Sequence, residues 1–150
     1  MGHSLSCVFI HVVFSTKDRR PTIGAEIRGE LGLYLAGIAR NKGCQPVIQC
    51  ATADHVHCLI GLDSQTTVAN LIRDLKANSS RWLNKRLAGQ TVFAWQNGYG
   101  AFSVSKSNLE LVKEYVATQE EHHRKMTFQQ ELLALLKKHD IPYDEKYLWA

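Results

Sequence analysis

Residues 45–62 read QPVIQCATADHVHCLIGL, and this stretch decides the fold because it predicts a β-hairpin. Two runs, 45–51 and 55–62, are rich in apolar and β-branched residues, as strands are. The tripeptide Thr-Ala-Asp at 52–54 joins them as the hairpin turn. The chain therefore predicts two neighbouring antiparallel strands at its centre.

The second strand of this hairpin carries two histidines. Successive side chains of a strand point to opposite faces, so His55 and His57 share one face and Val56 and Cys58 share the other. The aliphatic Val56 and Ile60 identify the buried core side. An H-x-H spacing alone is weak evidence for a site. A buried imidazole without a partner is costly, however, and this favours metal binding by the pair.

The rest of the chain alternates between strand and helix patterns. Strands are predicted where β-branched and aromatic residues cluster, and helices where apolar residues recur at helical spacing. Strands are predicted at 6–14, 92–95 and 101–105, with a turn at 98–100, and helices at 23–42, from Thr66 or Thr67 onward, at 107–124 and at 127–138. Ser107 and Glu110 have the spacing of a capping box, and Thr127 can cap the last helix.

The order of these elements predicts the fold class. Strand, helix, strand, strand, helix, strand matches a split β-α-β, ferredoxin-like fold of the α+β class. We expect an antiparallel sheet with helices on one face, followed by C-terminal helices that carry Tyr115. A chain of 150 residues suits one domain, 1–150, with a core at about 5–106, two helices at about 107–138 and a tail at 139–150.

The composition is that of an ordinary globular protein, with 45% hydrophobic residues, 21% charged residues and a net charge of +4. No stretch reaches the ~18 to 20 apolar residues of a membrane span, and the N-terminus lacks the pattern of a secretory signal. We therefore expect a cytoplasmic location and no membrane partner. The four cysteines lie in apolar contexts without a Cys-x-x-Cys pair, as reduced, buried cysteines do.

The third predicted helix has two distinct faces. Leu109, Val112 and Val116 form its apolar stripe, whereas Tyr115 and Gln119 are stacked neighbours on another face. That face is polar where a docked helix would carry Leu or Val. If the helix lies across the histidines, a hydroxyl and a third ligand arrive there together.

Other metal enzymes with an H-x-H motif fit the chain less well. A metal-dependent hydrolase barrel needs roughly 250 residues. Cupins place the pair in an all-strand jelly roll, whereas the segments after Thr66 are mostly helical. Phosphoryl transfer on nucleic acid is the class that remains.

Basic residues cluster in two places and are candidates for contact with DNA. They are Lys17, Arg19 and Arg20 in the first loop, and Arg73, Lys76, Arg81, Lys85 and Arg86 along or beyond the second helix. A charged helix stripe is usually a solvated face. Here only Asp74 interrupts the run between Arg73 and Arg86, and the missing counter-charges favour contact with phosphates.

Taken together, these motifs resemble the small single-tyrosine HUH transposases of bacterial and archaeal insertion sequences, which act on single-stranded DNA. The resemblance covers nearly the whole chain. It rests on FIHVVFST at 9–16, DHVH at 54–57, WQNGYGAFSVS at 95–105, and YVATQEEHHR at 115–124 followed by Thr127, Phe128 and Glu131. Several linked motifs in order are more specific than any one of them.

The resemblance implies that His55 and His57 are metal ligands, that Gln119 is the third ligand and that Tyr115 is the nucleophile. Imidazole and oxygen ligands suit Mg²⁺ or Mn²⁺. The implied partners are hairpin-bearing single-stranded DNA and a second subunit, in a homodimer whose tyrosine helix serves the other subunit's histidines. The implied intermediate is a 5′-phosphotyrosine, which stores the phosphodiester energy, so no nucleotide cofactor is expected.

Two alternatives stay open. A catalytically silent ferredoxin-like protein can bind nucleic acid on an open sheet face, although no strand here has the aromatic pattern of an RNA-binding sheet. A domesticated relative that processes host-encoded hairpin repeats would carry the same residues as a transposase.

Overall fold

The structure is a computed structural model that describes residues 4–87, 92–119, 121 and 125–150. Its centre is a four-stranded antiparallel sheet in the order β2-β3-β1-β4. The strands are β1 (Phe9–Ser15), β2 (Gln45–Ala51), β3 (His55–Gly61) and β4 (Gly100–Val104). The helices of the described residues are α1 (Arg28–Asn41), α2 (Val68–Arg86), α3 (Leu109–Ala117), α4 (Phe128–Lys138) and α5 (Glu145–Leu148).

The sheet confirms the predicted α+β, ferredoxin-like arrangement. β2 and β3 form the hairpin expected from residues 45–62. β1 lies between β3 and β4, so Val12 is opposite both Cys58 and Ala101. Every residue of β1 is buried, as expected for a central strand that is covered on both faces.

Helices α1 and α2 cover one face of the sheet. The strand residues directed to this face are Ile10, Val12, Phe14, Val56, Cys58 and Ile60. They pack with Leu31 of α1 and Leu71 of α2, on the side that the aliphatic residues of β3 predict. The Thr67 side chain caps α2 by accepting from the Asn70 amide. After α1, the chain turns at Gly43, whose φ of +78° favours glycine.

Helices α3 and α4 lie across the opposite face, toward which the two histidines of β3 project. The apolar residues that join these helices to the sheet are Val13 and Phe102 with Phe128, Leu132 and Leu136, and Phe9 and Leu59 with Leu109. As predicted, Thr127 caps α4, in a capping box with Gln130. None of the described helices is both long and apolar enough to cross a membrane.

The strand predicted at 92–95 does not form. Trp95 makes an isolated bridge with Thr16. The side chain of Asn84 bonds the backbone of Phe93 instead: Oδ1 accepts from its N–H at 2.6 Å, and Nδ2 donates to its carbonyl at 3.1 Å. A helix side chain thus satisfies backbone groups that a strand would have paired.

The predicted capping box at the start of α3 also does not form. Ser107 lies in a 3-10 turn, Lys106–Asn108, and its hydroxyl is 3.0 Å from that of Ser105. Because this turn precedes α3, the N-cap position falls on Asn108.

α3 is also shorter than predicted. It ends at Ala117, and Thr118 has non-helical angles, φ −106° and ψ 27°. Residues 120 and 122–124 of the predicted helix, including His122, lie outside the described residues.

Candidate active site

Two buried histidines lie side by side on the sheet face below α3 and α4. His55 and His57 have no exposed surface, and their ring centroids are 5.0 Å apart. They share this face because they alternate along β3 with Val56 and Cys58, which point into the core under α1 and α2. The strand itself therefore positions the pair.

The turn before β3 orients His55. Its Nδ1 lies 2.8 Å from Asp54 Oδ1 and 2.9 Å from Thr52 Oγ1. Burial opposes a charge on the ring, but hydrogen bonds to Asp54 and Glu131 raise the pKa of His55. A carboxylate only accepts, so Nδ1 carries a proton toward Asp54, and Nε2 presents a lone pair to a metal only once it has lost its own proton. That Nε2 faces Glu131 of α4 at 3.5 Å.

His11 of β1 orients His57 in the same way. His11 is buried, its Nε2 lies 2.7 Å from His57 Nδ1, and the two rings stack with centroids 5.0 Å apart. Burial, together with the neighbouring His57, lowers the pKa of His11 to about 3, so His11 is neutral and can accept. Sequence reasoning misses this residue. The usable signal is a histidine within the otherwise apolar stretch FIHVVF of a central strand.

Glu131 of α4 faces both histidines. Its Oε1 lies 2.8 Å from His57 Nε2 and 3.5 Å from His55 Nε2. Burial opposes ionisation, but hydrogen bonds from His55 and His57 hold the pKa of Glu131 well below its usual range. The sequence places Glu131 in the family pattern but gives it no role. Its signal is a carboxylate in an apolar helix stripe, between Phe128 and Leu132.

Tyr115 reaches the same carboxylate from α3. Its hydroxyl donates to Glu131 Oε2, and its ring centroid lies 5.9 Å from that of His57 and 6.1 Å from that of His11. Burial and the contact with Glu131 raise the pKa of the phenol, which is therefore protonated at neutral pH. One chain thus brings the tyrosine to its own histidines, whereas the resemblance implies histidines from another subunit.

Gln119 comes four residues after Tyr115, just beyond the end of α3, and is buried. Its Nε2 donates to the Tyr115 carbonyl at 3.2 Å. Its Oε1 is also buried, and it has no hydrogen-bond partner among the described residues. A buried acceptor without a donor is costly, and a cation would satisfy it.

The donor atoms at this site suit a divalent metal ion. The imidazole nitrogens of His55 and His57 and a carboxylate oxygen of Glu131 lie within 4.8 Å of one another. Nδ1 of each ring is hydrogen-bonded behind the site, which leaves Nε2 as the ligating atom, as in many metal centres. Together with the amide oxygen of Gln119, these nitrogen and oxygen donors fit a divalent metal ion.

The predicted DNA-contacting residues of α2 lie on the other side of the sheet from the histidines, because α2 packs on the opposite face. Lys76 donates to the carbonyls of Gln96 at 2.7 Å and Gly98 at 2.6 Å, so it supports that loop. Arg86 pairs with Glu30 of α1. Helix α1 therefore supplies Arg86 with the acidic partner that the sequence around α2 lacks.

The remaining predicted cations are more accessible. Arg81 and Lys85 of α2 and Lys17 and Arg20 after β1 are exposed. Arg19 is partly covered, with its guanidinium 5.3 Å from the ring centre of Trp149. Arg73 is exposed but lies 3.2 Å from Asp74.

Comparison with known proteins identifies the family. Residues 4–119 match the family described as "Transposase IS200 like". The chain is 24% identical over 116 residues to the ISDra2 transposase TnpA of Deinococcus radiodurans, covering 73% of this chain and 81% of that protein.

Two solved structures share the fold. One is a crystal structure of a candidate transposase from Deinococcus radiodurans R1, with a TM-score of 0.63 and 22% identity, covering 79% of this chain and 96% of that one. The other is a REP-associated tyrosine transposase bound to a REP hairpin, with a TM-score of 0.61 and 12% identity, covering 82% of this chain and 72% of that one.

The family match contains His55, His57, Tyr115 and Gln119 but ends before Glu131. The carboxylate that contacts the tyrosine and the histidines therefore comes from a helix beyond the matched segment. Because the match spans most of the sequence and the fold agrees with it, the chain belongs to the IS200-like transposases and is a DNA-transfer enzyme.

Proposed function

We propose that this protein, acting as one domain over residues 1–150, cleaves and rejoins single-stranded DNA at hairpin-bearing element ends. Tyr115 is the nucleophile, and the intermediate is a covalent 5′-phosphotyrosine. The observation that carries the proposal is one line of contacts: the Tyr115 hydroxyl donates to Glu131, which lies 2.8 Å from His57. A phenol beside a cluster of metal ligands suits metal-assisted attack on a phosphodiester.

The proposed metal is Mg²⁺ or Mn²⁺. His55, His57 and Gln119 would hold it, and Glu131 would supply a further oxygen. When bound, it polarises the scissile phosphate and offsets the charge that develops there. The buried amide oxygen of Gln119 and the cluster of nitrogen and oxygen donors support this assignment.

In the cleavage step, the Tyr115 oxygen forms a bond to phosphorus, and the bond from phosphorus to the 3′ oxygen breaks. The raised pKa of the phenol means that its proton leaves as the new bond forms. Glu131 orients the phenol, since its carboxylate accepts the hydrogen bond from the hydroxyl, and the proton passes to water. The departing 3′ oxygen takes up a proton and becomes a 3′-hydroxyl. Attack by a 3′-hydroxyl reverses the step, so rejoining needs no nucleotide cofactor.

The proposed partner is single-stranded DNA with hairpins. Likeness to a transposase bound to a REP hairpin supports it, as does the net charge of +4. Lys17, Arg20, Arg73, Arg81 and Lys85 are exposed and are the proposed phosphate contacts. Lys76, Arg19 and Arg86 are engaged elsewhere, so we expect smaller contributions from them. Because the proposed substrate is DNA, we also propose a cytoplasmic location.

We further propose, from the family resemblance, a homodimer that shares its sites between subunits. In the described chain, Tyr115 lies beside His57 of the same chain. Exchange of α3 between two subunits would reproduce these contacts with the tyrosine of the other subunit, as in domain swapping. The two arrangements therefore use the same residues and differ only in which chain supplies the tyrosine.

The alternatives differ in how well they use the site. A silent binding protein leaves the buried cluster of His55, His57 and Glu131 without a role. A relative that processes host hairpin repeats uses the same chemistry. Likeness to the REP-associated transposase keeps that second candidate open.

Covalent capture tests the proposal. The protein is incubated with Mg²⁺ and a labelled library of hairpin-bearing single strands, and adducts are resolved on a denaturing gel. Tyr115→Phe removes only the hydroxyl, so it should abolish the adduct and preserve hairpin binding. Tyr99→Phe, at a tyrosine that is 47% exposed, is the matched control and should form the adduct normally. An adduct on the Tyr115→Phe variant would overturn the assignment.

A further inference from the structure

A cavity of about 570 Å³ opens beside Tyr115, between β4, α3 and α4. Phe102, Val112 and Leu135 give it apolar walls, and Glu131 also lines it. Its volume is in the range of sites that hold small organic groups. Because Tyr115 lines the cavity, anything bound there lies next to the attacking phenol.

We propose that this cavity receives the unpaired base of a nucleotide that adjoins the scissile phosphate. The inference rests on the proposed function and deepens it, because it assigns the place where the cleaved strand is held. A base held there would position its own phosphate beside Tyr115.

Flat and apolar surfaces in the cavity suit a base. The ring of His139 packs against that of Phe102, with centroids 4.7 Å apart and an interplanar angle of 34°. Leu111 and Met126 also line the cavity and are 68% and 41% exposed. Aromatic rings are the surfaces on which single-stranded bases stack, and a stacked base would cover the apolar side chains.

The charge around the cavity favours a nucleotide over an uncharged apolar ligand. Lys125 and Lys138 line it and are exposed. Among the described lining residues, Glu131 alone is acidic, and it is engaged by His57 and Tyr115. Cations beside an apolar cavity suit the phosphates that flank a base.

Polar groups at the cavity suit the edge of a base. Ser103 and Asn108 both line it and offer hydrogen-bond donors and acceptors. A base within a duplex has stacked faces and a paired edge, whereas an unpaired base exposes both. The cavity therefore predicts that cleavage requires single-stranded DNA beside the cut.

A substitution that fills part of the cavity tests the proposal. Ala134 lines the cavity and is exposed on α4, so Ala134→Trp narrows the cavity without changing the core. Gln129→Trp is the matched control, because Gln129 is exposed on the same helix and is not among the lining residues. Each protein is incubated with the DNA strand that the wild type cleaves. The strand carries either all its bases or an abasic site at one of the nucleotides that adjoin the cut.

We expect one abasic position to slow adduct formation by the wild type about tenfold to a hundredfold, the effect of a lost base stack. Ala134→Trp should slow cleavage of the intact strand similarly and add little on the abasic strand, because both changes remove one interaction. Gln129→Trp should behave as the wild type does. Equal losses from Ala134→Trp on both strands, or wild-type cleavage that ignores both abasic positions, would overturn the proposal.

Binding gives a readout that does not depend on cleavage or on the folding of Ala134→Trp. In the uncleaved complex of Tyr115→Phe, 2-aminopurine at the sensitive position should lose fluorescence as it stacks. Unchanged fluorescence at both flanking positions would overturn the cavity assignment. Absence of any adduct with the wild type would instead refute the proposed function, so the two failures are distinguishable.

Discussion

Replacing His11 with leucine should weaken metal binding through His57. His11 is 3% exposed, and its Nε2 lies 2.7 Å from His57 Nδ1, where it can accept the proton that the ring carries on Nδ1 when Nε2 binds a metal. Leucine fills much of the space but provides no acceptor, which leaves a buried N–H unsatisfied at a cost of about 1–3 kcal/mol. Loss of such a partner typically lowers metal affinity about 10- to 100-fold. At about 1.4 kcal/mol per tenfold, this corresponds to about 1.4–2.8 kcal/mol of binding free energy.

The matched control is His11→Gln. Its amide oxygen can take the position of the His11 Nε2 atom and accept from His57, so it should retain most of the affinity. Manganese binding is measured by the electron paramagnetic resonance signal of free Mn²⁺. Thermal unfolding in chelator separates a loss of stability from a loss of metal affinity. Adduct formation by His11→Leu should also recover as the Mg²⁺ concentration is raised.

Two results would refute this reasoning. If His11→Leu binds Mn²⁺ as tightly as the wild type does, the hydrogen bond from His57 does not prepare that ring for the metal. If His11→Gln loses as much affinity as His11→Leu, the shape of the histidine matters and its acceptor atom does not.

Three further predictions concern the same site. Glu131→Gln keeps the side-chain shape but removes the charge that faces His57, so Mn²⁺ affinity and the rate of adduct formation should both fall; if both match those of a Glu145→Gln control, Glu131 has no role in the site. His55→Ala and His57→Ala should lose cleavage but keep most DNA affinity, because phosphate contacts dominate binding, and cleavage that persists in excess chelator would remove the metal from the mechanism. Tyr115→Phe refolded together with a His55→Ala/His57→Ala variant should regain cleavage if subunits share sites, whereas inactive, differentially tagged heterodimers would assign each site to one chain.

Local periodicity is enough to predict much of the fold. The alternation of β3 places His55 and His57 together. Gln119 still contacts Tyr115, through its backbone carbonyl, although α3 ends before Gln119. Thr127 caps α4 as predicted, since capping depends on residues within one turn. The strand expected at 92–95 fails because Asn84, from another element, takes the hydrogen bonds of Phe93.

The sequence by itself determines which residues share a face of each strand or helix, because backbone geometry repeats every two residues in a strand and every 3.6 in a helix. Only the tertiary structure decides which element covers that face. His11 meets His57 across 46 positions of sequence, and Glu131 meets His57 across 74. Those contacts arise because the apolar residues of β1, β3 and α4 must be buried together. The hydrophobic effect is non-directional, so it leaves no periodic pattern in the sequence that would identify the partner element. The histidine pair can therefore be predicted from the sequence, whereas tertiary packing brings in the carboxylate that contacts both the pair and Tyr115.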